Sequence, residues 1–149
     1  MEAELSHEWN RVHFSTVSED WETPQDTFDW AYRKFGPLTL DVCASRENTK
    51  LDNYFTKADN ALVQKWAPSR CWMNPPYGRQ VGKWIQKAYL ESKEGAIVVC
   101  LLPARTDTRW FHDYCIRGEI WFLKGRLKFG GSKNSAPFPS MVVVFGRMA

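Results

Sequence analysis

Arg70-Cys71-Trp72-Met73-Asn74-Pro75-Pro76-Tyr77-Gly78 is a short apolar run that leads straight into two prolines. Proline offers no ladder donor and fixes its φ, so the run cannot continue as an inner strand. A strand over 70–73 therefore ends at Asn74, and the backbone leaves it stiff, with an amide before the turn and a phenol after it. Beyond Gly78, residues Val81, Trp84, Ile85 and Ala88 recur at helical spacing to about Lys93, where Gly95 closes the element. Ala96 to Leu102 is continuously apolar, as expected of a central strand buried on both faces, and Pro103 ends it. Strand, helix and strand in succession decide the fold class: α/β, with a mostly parallel sheet.

Working outward, Thr23-Pro24 reads as a helix start, with Thr23 as cap and Pro24 at the first helical position. Phe28, Ala31, Tyr32 and Phe35 carry the helical period until Gly36-Pro37. Leu38 to Cys43 is expected to be a strand, and 46–57 is too polar to assign. Asp59-Asn60 is expected to cap a short helix bearing Leu62, Val63 and Trp66. Thr106-Asp107 is expected to cap another, with Trp110, Phe111, Tyr114 and Cys115 on one side. Glu119 to Leu123 and Met141 to Phe145 read as two last strands in an antiparallel hairpin, the first continuing past Gly125 into 126–129. Right-handed crossovers place the strand ends near residues 44, 74, 103 and 124 along one edge, where open α/β sheets bind ligands. Residues 1–20 are expected to be an irregular arm and 21–149 a single domain with helices on both faces of its sheet.

The 149 residues suffice for one core. Apolar content of 44% and charged content of 25% are those of a soluble globular chain. Aromatics are high at 15%; they fill a small core, or offer rings that stack on bases. A net charge of +3 permits a nucleic-acid partner without requiring one. The cysteines at 43, 71, 100 and 115 lack zinc-knuckle or redox spacing, so free thiols in a reducing compartment are expected, with no metal. No signal peptide and no long apolar run is visible, which points to the cytosol and away from a membrane.

The Asn-Pro-Pro-Tyr turn has neither an activated nucleophile nor paired carboxylates beside it. An asparagine oxygen and a proline carbonyl are acceptors that together can hold both hydrogens of an amino group. An aromatic amine is a poor nucleophile because its lone pair is delocalised. Two acceptors off the ring plane favour the pyramidal form in which that pair is freed. Tyr77 can stack on the ring, and a base in a duplex would have to flip out to reach such a site. This chemistry alone leaves the acceptor open among adenine N6, cytosine N4, RNA adenine and a protein glutamine.

Asn74-Pro75-Pro76-Tyr77 after an apolar strand resembles the catalytic motif of S-adenosylmethionine-dependent amino-methyltransferases. Trp21-Glu22-Thr23-Pro24, Leu40-Asp41-Val42-Cys43-Ala44-Ser45, Asp59-Asn60-Ala61-Leu62 and Gly125-Arg126-Leu127-Lys128-Phe129 occur in order as well. The set, over about residues 20–146, resembles the small phage-type DNA N6-adenine methyltransferases. The resemblance implies a shortened, Rossmann-like class I methyltransferase fold acting in a bacterial host's cytoplasm on duplex DNA with a flipped adenine. It implies that Asn74 and Pro75, stiffened by Pro76, hold the amino group while Tyr77 stacks. Asp41, Ala44 and Ser45 would meet the methionine end of S-adenosylmethionine, joined by Thr23 and Pro24. Asp59 and Leu62 would meet its adenine.

Two departures stand out. Val42-Cys43-Ala44-Ser45 lacks the usual glycine-rich turn, and the stretch from Asp41 to Asp59 is too short for a strand, helix and strand. Glu47 and Asp52 are candidates for the cofactor ribose. The degraded turn also admits an inactive binding module. No separate target-recognition domain is expected, so DNA contact is expected to fall to Arg105, Arg109, Lys124, Arg126, Lys128 and Lys133, which could equally form a solvated face.

Overall fold

A computed structural model describes residues 21–130 and 133–147. The expected arm at 1–20 lies outside the described residues, as does part of the basic Gly130–Ser135 stretch.

Helix α1 (Gln25–Phe35) buries Phe28, Ala31 and Phe35, the residues that carry its period. Its cap is Pro24 and no side chain bonds there, so Thr23 does not cap it. Strand β1 (Leu40–Asp41) is shorter than expected, although Thr39 N–H donates to Arg70 O and Val42 N–H to Trp72 O on either side of it. Strand β2 (Arg70–Met73), helix α2 (Val81–Lys93) and strand β3 (Ile97–Pro103) form the expected unit. Two 3-10 turns, Lys57–Asp59 and Ala61–Val63, replace the helix expected at 59–66. Helix α3 (Arg109–Asp113) is capped by Thr108, whose hydroxyl oxygen accepts from Phe111 N–H at 3.2 Å, so the cap lies beyond Thr106-Asp107. Strands β4 (Glu119–Phe122) and β5 (Ser140–Phe145) complete the sheet. Residues 126–129 are not strand: Phe129 turns into the core at 2% exposure, and Leu127 O accepts from Ala136 N–H at 2.8 Å.

The order β1-β2-β3-β5-β4 is parallel over its first three strands. Only β5 is reversed, antiparallel to both β3 and β4. The carboxyl ends of β1, β2, β3 and β4 therefore share one edge with the start of β5, since Pro103 pairs with Ser140 and Phe122 with Met141. That is the edge the crossovers required.

Register explains the layers. Trp72 pairs with Val99, Val99 with Val144 and Val144 with Glu119, so these four side chains share a face with Trp121 two residues on. Helix α1 lies there: Phe28 meets Trp72 edge-on at 5.2 Å, and Phe35 meets Trp121 at 6.2 Å. Phe145 points to the opposite face, where Tyr89 of α2 meets it at 5.9 Å. Between them β3 and β5 are buried almost throughout, giving a core whose centre is aliphatic and whose rims are aromatic.

Candidate active site

Four edge segments converge on one cleft of about 890 Å³, of small-molecule size. It is lined by residues after β1, by the 3-10 turns, by the end of β2 with Asn74, Pro75 and Pro76, and by Trp21 to Thr23 before α1. Of the sequence-derived candidates, Thr23, Asp41, Ala44 and Ser45 are also in the lining, as is Glu47. Pro24, Asp59, Leu62, Tyr77 and Asp52 lie outside it.

Asn74 is the best-defined member. Its Nδ2 donates to the carbonyl oxygen of Trp21 and to Thr23 Oγ1, the latter at 2.9 Å. A main-chain carbonyl can only accept, so the amide must present its nitrogen to Trp21 and its oxygen the other way. That oxygen, Oδ1, is buried and has no partner among the described residues. An unsatisfied buried acceptor costs about 1–3 kcal/mol, a cost that an arriving N–H donor would remove.

Tyr77 turns away from the cleft. It is 1% exposed, its hydroxyl donates to Leu101 O at 2.9 Å, and its ring packs against Phe138 at 5.7 Å and Phe129 at 6.2 Å. Burial pushes the phenol well above its ordinary pKa, so it stays protonated and holds that bond. Here it braces the turn against β3. The rings that do line the cleft are Trp21, Phe55, Trp72 and Trp84.

Asp41 is 3% exposed, and burial raises its carboxyl to about 6, against the pull of N–H donors from Lys50 at 3.1 Å and Cys43 at 3.3 Å. Those bonds fold 43–50 into a compact loop in the place of the glycine-rich turn that the sequence lacks. Further on, Tyr54 forms a single parallel bridge to Asp41, with Phe55 N–H donating to Asp41 O at 2.9 Å. One bridged residue thus replaces a whole strand, which is how so short a segment closes. Asp59 is exposed at the rim, its Oδ2 accepting from Thr56 N–H at 2.8 Å and from the Thr56 hydroxyl at 3.1 Å, in a capping box. Its neighbours Ala58 and Asn60 line the cleft.

The six basic candidates are all exposed. The guanidinium of Arg105 lies over Phe138 at 5.7 Å, and Lys124 follows β4 at the same edge. Arg126, Lys128 and Lys133 flank the inward-pointing Phe129, and Arg109 opens α3.

Two contributors were assigned no individual role from the sequence, although Trp21 lies in one of the blocks that carry the resemblance. Trp21 supplies the carbonyl that orients Asn74, and its ring sits between Phe129 and Phe138 at 5.2 and 5.1 Å. Glu91 of α2 accepts the backbone N–H groups of Trp66 and Ala67 with one oxygen, tying the segment that follows the 3-10 turns to the helix. A backbone carbonyl leaves no trace in a residue pattern, and a lone helix-surface glutamate gives no signal. Cys71, Cys100 and Cys115 are buried free thiols, and burial pushes Cys71 and Cys115 up to about 12, so both remain inert. Among the described residues no helix is long and apolar enough to cross a membrane, and no group of His, Cys, Asp or Glu is arranged to hold a metal ion.

Residues 13–147 match the family model described as DNA N-6-adenine-methyltransferase (Dam). The chain belongs to that family. A DNA N-6-adenine-methyltransferase of Haemophilus phage HP1 is 34% identical over 137 residues, covering 84% of this chain and 77% of the relative. One from Escherichia phage T1 is 30% identical over 98 residues, 65% of this chain and 41% of that protein. The putative methyltransferase YfdM of Escherichia coli (strain K12) is 34% identical over 67 residues, 41% of this chain and 74% of its own. The family match spans every segment of the cleft lining, from Trp21 to Gly130.

Proposed function

We propose that this DNA N6-adenine methyltransferase moves the methyl group of S-adenosylmethionine to N6 of an adenine flipped out of the duplex and into the cleft beside Asn74. The observation that carries this reading is the buried, unpartnered Oδ1 of Asn74, aligned by two hydrogen bonds from its own amide nitrogen. Asn74 Oδ1 and the Pro75 carbonyl would accept the two amino hydrogens, drawing the nitrogen lone pair out of conjugation toward the methyl donor. Pro75 and Pro76 keep both acceptors from relaxing, and Tyr77 anchors the turn through Leu101. Stacking of Tyr77 on the base would require its ring to leave the pocket it fills.

The chain's residues suit the cofactor. When bound, S-adenosylmethionine supplies an electrophilic methyl group on a positively charged sulfur. The same cleft offers Asp41, a buried carboxylate suited to a cationic ligand, with Thr23, Ala44 and Ser45 around it. Asp59, Leu62 and Pro24 would meet the cofactor from the rim, and Glu47, in the lining, is better placed for the ribose than Asp52. The parallel β1-β2-β3 core with its helix crossover supports reading the domain as a shortened Rossmann-like class I fold. Arg105, Arg109, Lys124, Arg126, Lys128 and Lys133 would meet the phosphates, with host cytoplasm as the place of action.

Asn74→Ala tests the assignment. It is expected to bind S-adenosylmethionine like wild type while transfer falls by about a hundredfold or more, as when a preorganised polar group is removed from a site of charge development. Wild-type turnover in that variant would contradict it.

A further inference from the structure

We propose that Thr23 is a positioning residue for methyl transfer, its hydroxyl oxygen locking the Asn74 amide so that Oδ1 faces the acceptor amino group. This rests on the reading of Asn74 given above and adds to it a residue that never touches the reacting atoms.

Thr23 precedes α1 in a place where a threonine ordinarily caps the helix, yet Pro24 is the cap and no side chain bonds there. The hydroxyl is thus spared for Asn74, 51 residues away in sequence, and the residue is 5% exposed. Each Nδ2 hydrogen has one acceptor, the Trp21 carbonyl and the Thr23 hydroxyl. An amide held at one hydrogen can still pivot about that bond; held at both, its plane and its oxygen are fixed. The lock is braced from behind. Trp21 is wedged between Phe129 and Phe138, and Phe138 in turn packs on Tyr77, the far end of the same tetrapeptide. Gly130 N–H donates to Glu22 O at 2.9 Å, pinning the strip between Trp21 and Thr23 to the basic segment. Two acceptors, their anchors and the amide therefore form one rigid unit.

The test compares Thr23→Val, which keeps the shape but loses the acceptor, with Thr23→Ser, which keeps the acceptor. Turnover on duplex DNA at saturating cofactor and direct binding of S-adenosylmethionine are measured for both. Thr23→Val is expected to lower kcat at saturating cofactor roughly tenfold, the value of one hydrogen bond, whatever change in cofactor Kd accompanies the loss of this lining hydroxyl. Thr23→Ser is expected to restore most of the turnover. Unchanged kcat in Thr23→Val, an equal loss in Thr23→Ser, or a loss confined to cofactor binding would each overturn the proposal. Asn74→Ala keeps the two readings apart. If it turns over normally, the Asn74 assignment fails; if it is inactive while Thr23→Val is fully active, only the lock fails.

Discussion

Asp41 shows how a single buried group sets a pH dependence. Its carboxyl is raised from 3.8 to about 6 by burial, so between those values the folded chain holds a proton that the unfolded chain has released. The contribution of Asp41 to stability then falls as pH climbs from about 4 to about 6 and is level above, on the order of 3 kcal/mol in total. Asp41→Asn lacks this decline, so denaturation at pH 4.5 and pH 7 should find the variant gaining on wild type as pH rises; a constant gap would refute it. A cationic ligand favours the ionised carboxylate, so S-adenosylmethionine binding should weaken as pH drops below about 6. Tyr77→Phe separates bracing from stacking: loss of the Leu101 bond should cost about 1 kcal/mol in urea denaturation with turnover largely kept. Asn74, Pro75 and Asp41, which all line the cleft, stood out as candidates in the sequence because chemistry picks out residue types. It could not show which way Tyr77 turns, since that depends on Phe129 and Phe138 arriving from more than 50 residues downstream.

At the scale of elements, α2 and its flanking strands were legible because 3.6-residue spacing and an unbroken apolar run are local signals. The short β1 was not. Its length is set by its outer neighbour, and only Tyr54 pairs there. Glu91 is the corresponding case in α2: one oxygen accepts from Trp66 N–H at 2.5 Å and Ala67 N–H at 2.9 Å while the other meets Lys87 Nζ at 3.2 Å. Glu91→Ala leaves two backbone donors unsatisfied and is expected to cost about 2–3 kcal/mol in urea denaturation, with Glu91→Gln milder because it keeps an acceptor. An Ala variant as stable as wild type would show that water replaces the clamp. After β5, Gly146 has φ +88°, and an added Cβ would lie 2.2 Å from Ala96 O. Gly146→Ala should therefore destabilise by at least about 2 kcal/mol.

Across the whole molecule, the sheet gathers the ends of β1 to β4 at one edge, with the amide of Asn74 and the carboxylate of Asp41 in one cleft and cations on the loops beyond. That convergence was legible from strand order and crossover handedness, because both follow from chain chirality. The Trp21 lock was not, because it joins an atom of the backbone to a side chain 53 residues on. If the exposed cations meet phosphates, DNA affinity should fall steeply with salt, by close to one log unit of slope per contact, and removing Lys124 or Arg126 should lessen the slope by about one. A flat salt response would leave those loops as a solvated face. The amino group that this family's chemistry assigns to the chain is N6 of adenine in DNA. The direct measurement is incubation of the wild-type protein with duplex DNA and S-adenosylmethionine labelled in its methyl group, followed by digestion to nucleosides and separation. Label in N6-methyladenine is the expected result; label in N4-methylcytosine, in RNA or in protein, or no label from protein that binds the cofactor, would contradict it.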